Sequence, residues 1–160
     1  MKLPIRLAGG LLVLVLATVP AHAFDATGTW SGSYSCKGFD GGPFTVKPRR
    51  TTLLITHAGA SLNASLDNGG FHYHGASIDD AKDAQKGDAM LAECETDAVP
   101  ATGFAEMILG VVKTKTGKSA ASFKGTSVYQ QVSGSGTEGG SCIYTFKRTS
   151  TTDPGVGPCP

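Results

Sequence analysis

Three histidines, His57, His72 and His74, lie within eighteen residues, the last two in the stretch Phe71-His72-Tyr73-His74-Gly75. Three imidazoles on one zinc ion, with a fourth position open to water, would make a catalytic metal site. Strand geometry opposes that reading. In an extended chain His72 and His74 share one face, and Phe71 and Tyr73 share the other. His57 closes an earlier strand, with one strand between. Two strand spacings sideways and about four residues lengthwise separate His57 from His74 by about 16 Å, whereas each Zn–N bond is only about 2 Å long. A smaller site made of His72 and His74 with an acidic neighbour, Asp67, remains a candidate. Histidines that simply face water account for the same pattern with fewer demands.

Other motifs are weaker. Glu93 and Glu95 alternate with Ala92 and Cys94, so they share a face. Paired carboxylates do acid–base work when burial pushes their pKa values apart, and here a solvated outer face is expected. Gly134-Ser-Gly136-Thr-Glu-Gly139 matches G-x-G-x-x-G, but a strand follows it where a dinucleotide site needs a helix N-terminus. Gly117-Lys118-Ser119 mimics the end of a P-loop, but Val112 stands where that motif needs glycine. The G-x-S-x-G nucleophile elbow is absent. Asn63-Ala64-Ser65 is a glycosylation sequon only in a host that modifies such sites. No catalytic motif is found and no cofactor is implied, so an enzyme is not expected.

The chain carries four cysteines, Cys36, Cys94, Cys142 and Cys159, with none of the close pairs that zinc, haem or redox sites require. An even count in an exported chain reads as two disulfides. Export is expected from residues 1–23. Lys2 and Arg6 precede an apolar run from Leu7 to Val19, and Ala21-His22-Ala23 offers a small-x-small cleavage site. The run is shorter than the roughly 20 residues of a membrane span. Removing 23 of 160 residues leaves 137, and 12 basic residues against 13 acidic, a formal charge near −1. Such a balance gives no electrostatic case for nucleic acid or an anionic membrane. A single domain over 24–150, an irregular tail over 151–160 and no membrane insertion after cleavage are expected.

The elements that must position these residues are strands. Short alternating segments run near 27–38, 44–57, 61–67, 71–78, 88–96, 104–115, 119–131 and 141–150. Asp67-Asn68-Gly69-Gly70 is the strongest hairpin signal, because Asn and Gly tolerate positive φ. It places residue 71 opposite 66, and His74 near Asn63. The Asp79–Gly87 link has room for one helical turn. Every link is too short for a helical crossover, which takes a dozen residues or more. The predicted fold is all-β: an antiparallel up-and-down barrel of about eight strands. A two-sheet sandwich is the runner-up.

Gly28-Thr29-Trp30 opens the first strand, with Trp30, Gly32, Tyr34 and Cys36 on one face. This resembles the G-x-W start of calycin-type barrels, the lipocalins and avidins, where the tryptophan plugs the barrel base. The lipocalins' T-D-Y-type second motif and C-terminal helix have no counterpart here. The segments "GTWSGSYSCKGF" and "CIYTFKR" also resemble small exported bacterial proteins of unknown function, a likeness that supplies no activity.

In a closed meander the first and eighth strands are antiparallel neighbours. Cys36 and Cys142 then fall at the same rim with matching parity, so a Cys36–Cys142 bond would staple the seam and Cys94–Cys159 would pin the tail. The alternative, Cys36–Cys94 with Cys142–Cys159, would stretch across the mouth, beyond the roughly 7 Å Cα limit. Sequence alone does not fix connectivity.

Inward candidates are Trp30, Tyr34, Leu53, Ile55, Leu62, Leu66, Phe71, Tyr73, Met90, Leu109, Phe123, Tyr144 and Phe146, with Gly or Ala at many other interior positions. Eight strands lie at the boundary between a filled barrel and one with a small cavity, and small interior residues favour a cavity. The expected function is binding of a small apolar ligand, with Trp30, Tyr34, Tyr73, Phe123 and Tyr144 lining its site. A protein-binding module presenting loops 38–43 and 133–140, such as a periplasmic inhibitor or envelope partner, is the alternative. A metal protein using His72 and His74 is the third.

Overall fold

A computed structural model describes residues 24–38, 46–94, 104–114, 121–131 and 139–159. The expected signal peptide, Glu95, the glycine motif at 134–138, Gly117-Lys118-Ser119 and most of both exposed loops lie outside the described residues.

Eight strands follow one another: β1 (Gly28–Gly38), β2 (Val46–Ala58), β3 (Ser61–Leu66), β4 (Phe71–Asp79), β5 (Lys86–Glu93), β6 (Phe104–Lys113), β7 (Ser122–Gln131) and β8 (Gly139–Ser150). Each pairs antiparallel with the next, and β8 returns to β1, so the meander closes into a barrel. Closure leaves no unpaired sheet edge. The hairpin between β3 and β4 forms as its residues dictate. Asp67 and Asn68 adopt φ of 56° and 58°, the left-handed pair of a tight hairpin turn. Leu66 faces Phe71 and Asn63 faces His74, as expected. The 80–85 link contains no helical turn. Asp80 and Asp83 instead accept the Lys82 and Gln85 amides at 2.9 and 3.0 Å, and Lys86 bonds Asp80 at 2.7 Å.

The cysteines pair by register. Cys36 lies directly opposite Cys142 across the β1–β8 seam, with Cα atoms 4.0 Å apart, and the two are bonded. Cys94 bonds Cys159. The two disulfides indicate an oxidising, non-cytoplasmic environment. The irregular tail is strapped to the outside of the barrel. Thr56 on β2 donates to Asp153 at 2.6 Å and accepts from the Val156 amide at 2.9 Å. Cys159 then anchors just beyond β5. Ser65, an outward position between those anchors in the register, is buried.

One end of the barrel is closed by packing. Phe24 and Trp30 are almost wholly buried there. The Trp30 indole donates to the Ala26 carbonyl at 3.0 Å. The Arg148 guanidinium lies 5.2 Å above the indole ring and donates to the Asp25 carbonyl at 2.8 Å. Gly28 is obligatory. Its φ is +138°, and a Cβ would collide with the Ser150 carbonyl. His57 sits inside this end: Nδ1 accepts the Ala26 amide at 3.2 Å, which leaves Nε2 to donate to Ser77 at 2.8 Å.

The small interior residues do not mark empty space at this end. A Cβ on Gly87 would stand 2.6 Å from the Phe24 ring, and one on Gly32 would stand 2.7 Å from Phe146. Phe123 covers Gly110 in the same way. Each glycine makes room for a neighbour's ring, so small residues and large rings interdigitate at the density of a protein interior.

Two inward assignments are corrected. Met90 and Leu109 are 49% and 55% exposed and face out. On β5 the inward set is Gly87, Ala89, Leu91 and Glu93; on β6 it is Glu106, Ile108, Gly110 and Val112. Both strands are apolar on both faces, and a one-residue slip in parity exchanges the faces entirely.

Candidate functional site

The inward face of β6 carries an acid among apolar residues. Glu106 has the parity of Ile108 and Val112, near the barrel end opposite Trp30. Three hydroxyls reach its carboxylate from three other strands. Tyr73 on β4 donates to Oε2 at 2.7 Å. Tyr144 on β8 donates to Oε1 at 2.5 Å, and Ser127 on β7 donates to the same oxygen. A carboxylate withdrawn from water needs such donors. It offers about four acceptor sites, and the described residues fill three of them. Among the described residues, no Lys, Arg or His forms an ion pair with Glu106.

Aromatic rings continue the site toward the packed end. Tyr34 stacks on Tyr144 at 5.6 Å, Tyr144 on Phe146 at 6.3 Å, and Phe146 meets Phe123 edge-on at 6.1 Å. This ladder follows from the seam, where Tyr34 pairs with Tyr144 and Gly32 with Phe146. Glu93 also faces inward, opposite Tyr73 in the β4–β5 ladder. The expected solvated face for Glu93 is therefore corrected: one of its carboxylate oxygens is fully buried. Gln131, at the same end, holds a buried amide oxygen that accepts no hydrogen bond among the described residues.

The electrostatics make the tyrosines donors. Burial, reinforced by Glu106, holds the Tyr73 and Tyr144 hydroxyls well above the ordinary phenol range. Burial also raises Tyr34, against the nearby Arg49, which lowers it. These phenols stay protonated at neutral pH, fit to donate and unfit to act as bases.

A pH dependence follows. Below pH 10.0, the ordinary phenol value, both folded and unfolded chains keep these protons and the stability is fully present. Above it the unfolded chain ionises first, so stability falls as pH rises toward the folded-state values, by up to about 1.4 kcal/mol per pH unit for each phenol. Urea unfolding across the alkaline range is expected to show this loss, and Tyr73→Phe should make it shallower.

Of the five predicted ligand-site residues, Tyr34, Tyr73 and Tyr144 gather around Glu106. Trp30 and Phe123 are buried in the packed portion. His72 and His74 lie on the outer face of β4, as their alternation implies. His74 bonds Asn63 at 2.7 Å. Asp67, their suggested acidic partner, is engaged by Arg49 at 2.8 Å and by Thr51 at 3.2 Å. Among the described residues no group of three or more His, Cys, Asp or Glu is placed to hold a metal ion. Glu106 was not among the sequence candidates: with Leu109 taken as inward, parity placed Glu106 on the outer face, and only the corrected facing of β6 brings it inside.

No protein-family model, curated protein or solved structure matches the chain.

Proposed function

We propose that this is an exported protein, periplasmic or secreted, that binds a small organic molecule at the Glu106 end of the barrel. The ligand has an apolar or aromatic body that lies against Tyr34 and Tyr144, and an ammonium group that takes the fourth acceptor site on Glu106. The observation that carries this reading is a carboxylate fixed by three hydroxyls with, among the described residues, no cationic side chain paired to it. A preorganised charge lacking its counter-ion is arranged for one that arrives from outside. The likeness to calycin-type barrels supports a ligand at this end, and the charged, apolar and small-x-small segments of residues 1–23 support export.

Tyramine and its neutral N-acetyl derivative are suitable probes for calorimetric titration. Tyramine is expected to bind and N-acetyltyramine to bind far more weakly. Glu106→Gln keeps an acceptor oxygen and removes the charge. It is expected to weaken tyramine binding by ten- to a hundredfold, the worth of a charge-assisted hydrogen bond of about 1.5–3 kcal/mol. Equal affinity of wild type and variant would sink the proposal.

A further inference from the structure

The outer surface of the barrel is uneven. On β1 to β3 the outward residues are mostly polar, among them Ser31, Ser33, Thr52 and Asn63. On β5 to β7 a group of large apolar side chains stands among polar ones such as Asp88, Lys124 and Thr126. Met90, Met107, Leu109 and Val128 are 49%, 47%, 55% and 57% exposed, and Val111 is exposed beside them. The ladders set these side chains in one contiguous field centred on β6, with Met90 opposite Leu109 and Met107 opposite Val128. A shallow groove of about 380 Å³ runs along it beside Met90, Leu109 and Val111. Contiguous apolar surface of this kind marks an interaction site.

We propose that this face is the contact surface of a symmetric dimer, with a second copy of the chain as its occupant. The charges on the face carry the choice. Asp88 on β5 and Lys124 on β7 flank Val111 on β6 in one cross-strand row. Among the described residues neither takes part in an ion pair. A two-fold axis parallel to β6 brings the face of β5 onto β7 of the second copy. Asp88 then meets Lys124 of that copy, and the pair is formed twice, as an isologous interface requires. The same operation sets the small Ala92 against Val128 of the second copy, since Ala92, Met107 and Val128 occupy one row. Leu109 and Val111 meet their own equivalents on the axis, Met90 meets Thr126 of the second copy, and Lys113 at the end of β6 meets its own equivalent, a like-charge contact at the rim. This is aligned face-to-face packing of two sheets. An anionic lipid surface would pair with Lys124 but repel Asp88.

Both faces are convex, so they meet over about three strands and bury less than the roughly 800 Å² per partner of a standard interface. The dimer is therefore reversible and depends on concentration. Sedimentation velocity over micromolar to millimolar mature protein is expected to show a monomer–dimer equilibrium. Asp88→Lys or Lys124→Asp alone should weaken association about tenfold, through like charges facing across the interface. The double variant should restore it, and Leu109→Lys should abolish it. These positions face outward, so circular dichroism of each variant should match the wild type; should Leu109→Lys fail to fold, the charge reversals carry the test. A chain monomeric at every concentration overturns the proposal. So does a dimer insensitive to the single reversals, or a monomer that instead floats with phosphatidylglycerol vesicles.

Discussion

Trp30→Ala is expected to lower the unfolding free energy by about 3–5 kcal/mol, a large share of what a domain of this size possesses. The indole is wholly buried, and its removal opens a cavity that the closed barrel cannot collapse around. Two further contacts go with it. The Ala26 carbonyl loses its indole donor, and the Arg148 guanidinium loses the ring beneath it. Ala26 and Arg148 also hold the segment before β1 in place, through His57 and the Asp25 carbonyl. The variant should therefore loosen residues 24–27 as well as the core. Urea denaturation followed by circular dichroism measures the loss, because Trp30 is the chain's single tryptophan and the variant has no indole fluorescence. Trp30→Phe should cost less, since the ring face under Arg148 survives. A loss for Trp30→Ala within experimental error of zero would mean that the base is not closed by this residue.

Replacing Cys36 and Cys142 together by serine is expected to cost about 4 kcal/mol. The bond closes a span of 106 residues, and chain-entropy arguments assign about 4.7 kcal/mol to a loop of about 100 residues. It also joins the two strands whose pairing closes the barrel. Removing Cys94 and Cys159 should cost less, although that bond spans 65 residues. Without it the tail can leave the barrel wall while β1 to β8 stay paired, and the native state gains freedom that offsets part of the loss. Parallel urea titrations of the two double variants distinguish the bonds. Equal destabilisation would show that the strap belongs to the cooperative unit.

Much of the architecture was legible because it rests on local rules. Alternation of apolar and polar residues marks β1, β7 and β8. Asp67-Asn68-Gly69-Gly70 forces a hairpin and so sets the register of β3 against β4. Equal parity along β1 and β8 then sets Cys36 against Cys142. Legibility failed where a strand is apolar on both faces. Met107, Ile108 and Leu109 are consecutive, so alternation alone does not say which points in; in the barrel Ile108 does, and Phe123 fits over Gly110 on the same face. Interior glycines suggested volume, when rings from neighbouring strands occupy it. The candidate site was only half visible. Tyr34, Tyr73 and Tyr144 stand out as inward aromatics, but the group that unites them is an acid in an apolar strand, and its donors come from β4, β7 and β8. That convergence depends on closure and is written in no local pattern.

Closure also governs when the fold can exist. Every strand pairs with its neighbour in sequence except at the seam, where Thr29 meets Ser150 and Gly38 meets Gly140. Until β8 is available, a growing meander has two raw edges, β1 on one side and the newest strand on the other, each able to capture another chain. Pairing across more than 100 residues demands loop closure before it returns any contact. Folding is therefore slow and late, with β8 as its final and indispensable part. A chain lacking β8 keeps two open edges, and it is expected to add them to another copy. Arrival of β8 is therefore what removes both edges at once.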